Sequence, residues 1–197
     1  MKRQEQIEKL IKENNGIIRT SEVVKTGISK PTFYEYAREM KMEQMAQGIY
    51  VAEDAWVDSM YLLHLQYGQV IFSHETALYL HDLSDREPLK YSVTVRSGYN
   101  TSRLKQSEIK VYTVKKDLHE LGKTRLQTPF GNMVTVYDME RTICDIVRSR
   151  SKIEIQTFQD ALKQYVRRRD KNLPKLMKMA SVFRVDYILR KYLEVLL

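Results

Sequence analysis

Apolar residues recur at helical spacing near the start of the chain and are then interrupted by turn signals. Ile7, Leu10 and Ile11 fall on one face of a helix predicted over residues 4–14. The run Asn14-Asn15-Gly16 provides the signal that ends it. The chain therefore begins with an amphipathic helix.

Two further short helices are predicted after the apolar pair Ile17 and Ile18. Thr20 or Ser21 can cap the first, which ends at Gly27. The second begins at Ser29. Its inward stripe has the spacing i, i+3, i+4, i+7 and consists of Phe33, Tyr36, Ala37 and Met40.

A small hairpin is predicted over residues 42–51, with its turn at Gln47-Gly48. The predicted elements have the order of a winged helix-turn-helix: helix, short strand, helix, tight turn, helix and hairpin. In this architecture the helix after the tight turn lies in the major groove of DNA. The acidic step Glu53-Asp54 marks the predicted boundary. We expect a DNA-binding domain over residues 1–52 and a second domain over residues 55–197.

The second domain has mixed signals. Residues 55–67 predict a helix, with Trp56, Met60, Leu63 and Tyr67 at helical spacing. Residues 70–72 form a short buried apolar run. Strands are predicted at 91–96, 109–114 and 133–137, and helices at 73–80, 157–169 and 185–196. The predicted fold class is α+β: an N-terminal winged helix-turn-helix, then a larger mixed α/β domain that ends in a helical segment.

The outer face of the third helix carries side chains suited to DNA. Lys and Arg can contact phosphates or guanine, and Thr and Tyr can contact a thymine methyl or a phosphate. We expect base contacts from Lys30, Thr32 and Tyr34 and backbone contacts from Arg38 and Lys41. The negative charge of Glu35 suits a DNA-binding face only if its carboxylate accepts a hydrogen bond from a cytosine amine. Gln47 at the hairpin tip and Arg19 before the second helix are further candidates.

Charge is uneven along the chain, which has a formal net charge of +8. Residues 141–197 carry fourteen Lys and Arg against six Asp and Glu. The concentrated basic residues are Arg167, Arg168, Arg169, Lys171, Lys175, Lys178 and Arg184. They form either the solvated backs of two helices or a functional surface. That surface would bind nucleic acid and help two copies occupy adjacent half-sites, or it would meet a partner protein or its RNA.

Other signals exclude several functions. Cys144 is the only cysteine, so no internal disulfide forms, and no apolar run is long enough for a membrane span. We therefore expect a cytoplasmic protein. His74 and His81 are seven residues apart, whereas ligands on one helix normally lie three or four apart. No phosphate loop or nucleophile motif is present, and we expect no metal, no cofactor and no enzymatic activity.

Three blocks resemble the AbiEi family of antitoxins and autorepressors from abortive-infection toxin–antitoxin (type IV) pairs. They are the first fifty residues with Gly27-Ile28-Ser29 and Gln47–Val51, the segment Phe72–His81, and the segment Val136–Asp145. The resemblance covers nearly the whole chain. Thr76 stands where we would expect serine.

The resemblance implies a function in two parts. The N-terminal domain would bind inverted repeats in its own promoter. The second domain would counteract a nucleotidyltransferase toxin, and in this family neutralisation does not need a stable complex between toxin and antitoxin. Cooperative self-association on DNA would accompany this. An antitoxin surface could include Glu140, Arg141, Thr142 and Asp145. Alternatively, Asp138 caps this helix and Arg141 pairs with Asp145 along it.

Two alternative functions follow from the same sequence. A winged-helix transcription factor with a ligand- or protein-responsive C-terminal domain would have no toxin partner. A nucleic-acid enzyme could carry a winged helix for targeting. A neighbouring nucleotidyltransferase gene favours the antitoxin over the transcription factor, and an assay with divalent metal tests the enzyme.

Overall fold

The computed structural model describes residues 2–197 and divides into two compact units. The first unit contains residues 2–68 and 127–134, and the second contains residues 69–126 and 135–197. Helices and strands both contribute substantially, so the fold is of the α+β class, as the sequence predicts. The first unit includes more of the chain than the N-terminal segment 1–52.

The first unit consists of four helices and three short strands. In chain order these are α1 (Lys2–Glu13), β1 (Ile17–Arg19), α2 (Thr20–Lys25), α3 (Lys30–Glu39), β2 (Glu43–Ala46), β3 (Ile49–Val51) and α4 (Ser59–Gln66). The strands form an antiparallel sheet in the order β1-β3-β2. β2 and β3 are the two arms of the predicted hairpin.

Apolar residues at helical spacing make the core of this unit. Ile7 from α1, Val23 from α2 and Phe33 from α3 are fully buried together. The prediction for Met40 is wrong, because its side chain is 51% exposed. α3 ends at Glu39, and Met40 is the C-terminal cap of the helix rather than part of its buried stripe.

The prediction that a helix begins at residue 55 and includes Trp56 is also wrong. The α4 helix begins at Ser59, where the Asp58 side chain accepts a hydrogen bond from the backbone of Tyr61 at 3.0 Å. A side-chain cap of this kind fixes the first turn of a helix. Trp56 therefore precedes the helix, and its side chain is 81% exposed.

Residues 127–134 return to the first unit and are held there by Asp58. Its Oδ2 atom accepts hydrogen bonds from Thr128 Oγ1 at 2.5 Å and from Asn132 Nδ2 at 2.8 Å. Asn15 Nδ2 donates to Asn132 Oδ1 at 2.9 Å. Buried polar groups need such partners. This segment is therefore an integral part of the first unit.

The second unit is built on a five-stranded sheet with helices around it. Its strands are β4 (Ile71–Phe72), β5 (Ser92–Arg96), β6 (Lys110–Val114), β7 (Lys123–Gln127) and β8 (Met133–Tyr137), in the order β6-β5-β4-β8-β7. β4 runs antiparallel to β5 and parallel to β8, and β5 runs parallel to β6. The sequence analysis missed β7.

Seven helices complete the described part of the second unit. They are α5 (His74–Leu80), α6 (Ser102–Gln106), α7 (Lys116–His119), α8 (Met139–Arg148), α9 (Ile155–Arg167), α10 (Leu173–Phe183) and α11 (Asp186–Leu196). α8 packs against α5, α9, α10 and α11 and lies in the middle of a large apolar cluster. Residues 2–197 contain no helix with both the length and the apolar character needed to cross a bilayer.

Candidate nucleic-acid interface

The turn before α3 has the features that the sequence predicted. Gly27 has a φ of +87°, a conformation that glycine adopts without steric cost, and Ile28 is buried. Ser29 caps α3, because its Oγ atom accepts a hydrogen bond from the backbone of Thr32 at 3.3 Å. Pro31 lies in the first turn, where no backbone donor is required. Local chemistry thus fixes where α3 begins.

One face of α3 is buried and the opposite face is open. Lys30, Tyr34 and Arg38 are separated by four residues each and are all exposed. No carboxylate forms an ion pair with Lys30 or Arg38 within the described chain. Glu35 is exposed as well. The open face therefore presents two unpaired cations, one aromatic ring and one carboxylate.

The Tyr34 ring is positioned by its aromatic neighbours. It lies 6.1 Å from the ring of Phe33 and 6.1 Å from the ring of Tyr50, which belongs to β3. Phe33 and Tyr50 also meet edge to face at 5.2 Å. Offset and edge-to-face aromatic contacts of this kind are favourable. Tyr34 remains 41% exposed, so a fixed ring is available beside the hairpin.

Two of the predicted DNA contacts already have partners within the chain. The Arg19 guanidinium donates to Glu22 at 3.1 Å, which offsets its charge. The Thr32 hydroxyl lies 2.8 Å from the Ser29 hydroxyl and takes part in the cap of α3. Both side chains are only partly exposed. Lys30, Tyr34 and Arg38 are therefore the stronger candidates.

Lys41 and Gln47 lie outside α3 and near the hairpin. Lys41 follows the end of the helix with a φ of +50°, so it is not on the helical face where the sequence analysis placed it. Gln47 is exposed at the turn of the hairpin next to Gly48. Thr20 donates its backbone N–H to the oxygen of Gly48 at 2.8 Å, which ties this turn to the start of α2.

The predicted basic surface in the second unit is divided into paired and unpaired cations. Arg168 pairs with Asp170 at 2.8 Å, and Lys175 pairs with Asp138 and Glu140 at 3.0 Å each. Lys171 donates to the backbone oxygen of Arg168. The cations of this surface without a carboxylate partner among the described residues are Arg167, Arg169, Lys171, Lys178 and Arg184.

Glu140, Arg141, Thr142 and Asp145 are all buried. Arg141 Nε donates to Asp145 at 2.9 Å, and Arg141 Nη1 donates to the backbone oxygens of Leu118 and Leu121 at 2.8 Å each. Asp138 accepts from the backbone of Arg141 at 2.8 Å. These contacts match the structural alternative, a capped helix with an internal ion pair.

Glu140 also acts inside the fold. Its carboxylate accepts a hydrogen bond from the Tyr165 hydroxyl at 3.1 Å, and Thr142 Oγ1 lies 3.4 Å from the backbone oxygen of Tyr137. Burial raises the pKa of Asp145, and the guanidinium of Arg141 opposes that rise. The hydrogen bonds and the ion pair of Glu140, Arg141, Thr142 and Asp145 therefore fix the position of α8.

The histidines and the cysteine are also in structural positions. His74 is buried, lies between the hydroxyls of Ser73 and Ser149 at 3.0 Å each, and stacks on Tyr112. His81 contacts the backbone oxygen of Tyr137 at 2.7 Å. Burial raises the pKa of the Cys144 thiol to about 12, so it is not a thiolate near neutral pH. Among residues 2–197, no group of three or more His, Cys, Asp or Glu side chains is arranged to hold a metal ion.

The sequence analysis overlooked a second feature of the first unit, an open groove. Met40, Trp56 and Phe130 contribute exposed apolar surface to it. Periodicity placed Met40 in the buried stripe of the third helix and Trp56 in a helix over residues 55–67. Local periodicity carries no signal for this groove, because the groove depends on where the helices end and on the return of residues 127–134 to the first unit.

Comparisons with known proteins bear on the fold. No family model matches the chain, and no curated protein sequence matches it either. Among solved structures, the chain is similar to the RV2827C protein from Mycobacterium tuberculosis, with a TM-score of 0.57 and 11% sequence identity. The similarity covers 91% of this chain and 74% of that chain. At this identity the likeness concerns the fold alone.

Proposed function

We propose that the chain is a sequence-specific DNA-binding protein whose first unit is a winged helix-turn-helix. The order α1-β1-α2-α3-β2-β3, the tight turn before α3 and the adjacent hairpin support this assignment. The observation that carries the proposal is the open face of α3, where Lys30 and Arg38 have no carboxylate partner among the described residues. In this assignment α3 is the recognition helix and the hairpin is the wing.

The two ends of α3 would have different roles. Recognition helices contact bases mainly with their N-terminal residues, so Lys30 and Tyr34 would lie over the base edges. Lys can donate to guanine, and Tyr can contact a thymine methyl. Arg38, near the C-terminal end, and Lys41 would contact phosphates, which add affinity without reading the sequence. Glu35 would favour a cytosine, because its carboxylate can accept a hydrogen bond from the cytosine amine.

The resemblance to AbiEi antitoxins extends the proposal to a biological role. The chain would repress its own operon by binding inverted repeats, and it would counteract a nucleotidyltransferase toxin in the cytoplasm. Two of the blocks that carry the resemblance meet in the second unit, because Phe72 in β4 pairs with Val136 in the parallel strand β8. This supports a shared scaffold, while the neutralising surface would lie on exposed residues around it.

DNA binding is tested by fluorescence anisotropy with a duplex from the region upstream of the chain's own gene. Replacing Lys30 or Tyr34 by Ala should reduce affinity by about 1–3 kcal/mol, or roughly 5- to 150-fold, and relax discrimination at one base pair. Lys9→Ala is the matched control, because Lys9 is an exposed lysine of the same unit outside α3. Equal binding by all three variants and the wild type would refute the assignment of α3.

The antitoxin role is tested by co-expression with the product of a neighbouring nucleotidyltransferase gene. Growth should be restored by the wild type and by Lys30→Ala, while repression of a promoter reporter should be lost only in the variant. This separates toxin neutralisation from DNA reading. Continued growth arrest with the wild type would leave a DNA-binding regulator without a toxin partner.

A further inference from the structure

The first unit contains an open groove with a volume of about 840 Å³. Tyr36 from α3 and Met40 at the C-terminal cap of α3 form part of its lining, together with Ile11 from α1. Trp56 and Phe130 add two aromatic rings that are 81% and 48% exposed. An exposed apolar patch of this kind, rimmed by polar residues, is typical of a protein interaction site.

The fold holds the groove open by specific contacts. Asp58 fixes the segment that carries Phe130 through its hydrogen bonds to Thr128 and Asn132. On the other side, Gly16 approaches Ala55 so closely that an added Cβ would lie 2.2 Å from the Cβ of Ala55. The two aromatic rings are therefore carried by well-anchored backbone.

Charge around the groove is mostly negative. Glu8, Glu53 and Asp54 line it and are exposed, and none of them forms an ion pair with another described residue. Lys12 is the one cation in the lining. A guanidinium group suits this setting, since it stacks on aromatic faces and also pairs with carboxylates. The chemistry of the groove thus favours an occupant that presents arginine.

The chain itself carries such a segment in its second unit. Arg167 is the last residue of α9, and Arg169 follows in the short connection to α10. Both are exposed, and neither has a carboxylate partner in the described part of the chain. We call residues 167–169 the arginine corner. It provides two free guanidinium groups on a short, structured connection.

We propose that the groove of one copy binds the arginine corner of a second copy. Arg167 and Arg169 would stack against Trp56 and Phe130 and pair with the carboxylates of the rim. After one such contact, one copy keeps a free corner and the other keeps a free groove, so the contact can be made twice in a two-fold dimer or repeat from copy to copy. The proposal deepens the proposed function by supplying a contact between neighbouring copies on DNA, but it is measured without DNA.

Trp56 is the only tryptophan and serves as the reporter. Sedimentation velocity and tryptophan emission are recorded over increasing protein concentration. The wild type should associate, and Trp56 emission should shift to shorter wavelength in parallel as the ring leaves water. High salt should weaken the association, because the contact depends on exposed charges.

Charge-reversal variants identify the two surfaces. Glu53→Lys with Asp54→Lys, and separately Arg167→Glu with Arg169→Glu, should each weaken self-association at least tenfold. A mixture of these two double variants should associate again, because the unaltered groove of one meets the unaltered corner of the other. Lys178→Glu with Arg190→Glu makes the same change in net charge at exposed positions outside the corner and should leave association intact.

Several outcomes would overturn the proposal. They include a wild type that stays monomeric at all concentrations, association without a change in Trp56 emission, and association that survives both reversals. If the arginine variant stays folded and weakens only the salt-dependent binding of DNA, the corner contacts phosphate instead. If DNA binding is lost in Lys30→Ala while self-association persists, the two proposals are separated.

Discussion

The α3 and α8 helices are alike in length and in their N-terminal caps, but their charged side chains lie in opposite environments. Each has ten residues and a side-chain cap at its N-terminus, Ser29 for α3 and Asp138 for α8. Both carry arginine and glutamate. In α3 the charged side chains face solvent, whereas in α8 every residue from Glu140 to Val147 is buried.

The difference lies in the number of neighbours around each helix. α3 packs with one face on the core of the first unit, so half of its surface is free. α8 is surrounded by α5, α9, α10 and α11, so its charges must find partners inside the protein. A charged motif indicates a functional surface only where packing leaves it accessible.

The largest expected effect comes from removing the buried cation of α8. Arg141→Ala leaves Asp145 buried without its partner, and breaking such a pair costs about 3–5 kcal/mol. The free energy of unfolding, measured by urea denaturation, should fall by that amount. Arg190→Ala, at an exposed position, is the control and should change it by less than about 0.5 kcal/mol. Similar stability in both variants would contradict a structural role for Arg141.

A smaller effect is expected from the backbone of the first unit. Gly16 and Gly27 have φ angles of +83° and +87°, but only at Gly16 would an added Cβ meet another atom, the Cβ of Ala55. Gly16→Ala should therefore lower the free energy of unfolding by about 1–3 kcal/mol more than Gly27→Ala does. Thermal or urea denaturation of both variants provides the measurement. An equal loss in both would show that backbone strain alone decides the effect.

The third prediction concerns pH and the second unit. Burial, aided by the nearby Arg148, holds the pKa of His74 well below its usual 6.5. The unfolded chain then binds a proton that the folded chain does not, so stability is full above pH 6.5 and falls as the pH drops below it. The loss is at most about 1.4 kcal/mol per pH unit for this one group.

His74→Gln removes the titrating group and provides the comparison. Urea denaturation between pH 7 and pH 5 should give a shallower pH dependence for the variant than for the wild type, whatever its absolute stability. His81, whose pKa is also lowered by burial, contributes in the same direction and remains in both proteins. Identical slopes would exclude His74 as a source of the pH dependence.

Local signals predicted most of the first unit. Asn14 to Gly16, Gly27 and Ser29 mark helix ends by backbone chemistry that needs no distant partner, and these ends lie where expected. Periodicity placed Met40 in the buried stripe of the third helix and Trp56 in the helix that follows the hairpin, because both residues are apolar and at helical spacing. It could not show that caps at the end of α3 and at Asp58 leave them outside the helices.

Long-range contacts account for what the sequence did not reveal. β7 has alternating half-buried and exposed residues but little apolar content, and its place in the sheet depends on pairing with other strands. α6 and α7 have only five and four residues, too few for a clear periodic signal. The two alternatives for Glu140 to Asp145 could be separated only by the helices packed around them.

The return of residues 127–134 to the first unit limits how this unit can be isolated or transferred to another protein. The chain passes between its two units three times, and Asp58 relies on hydroxyl and amide groups located some seventy positions away. A cut after residue 68 would strip the buried carboxylate of these donors, and a cut after residue 52 would remove Asp58 itself. The first unit is therefore not one uninterrupted segment, and transferring it to another protein requires both residues 2–68 and residues 127–134.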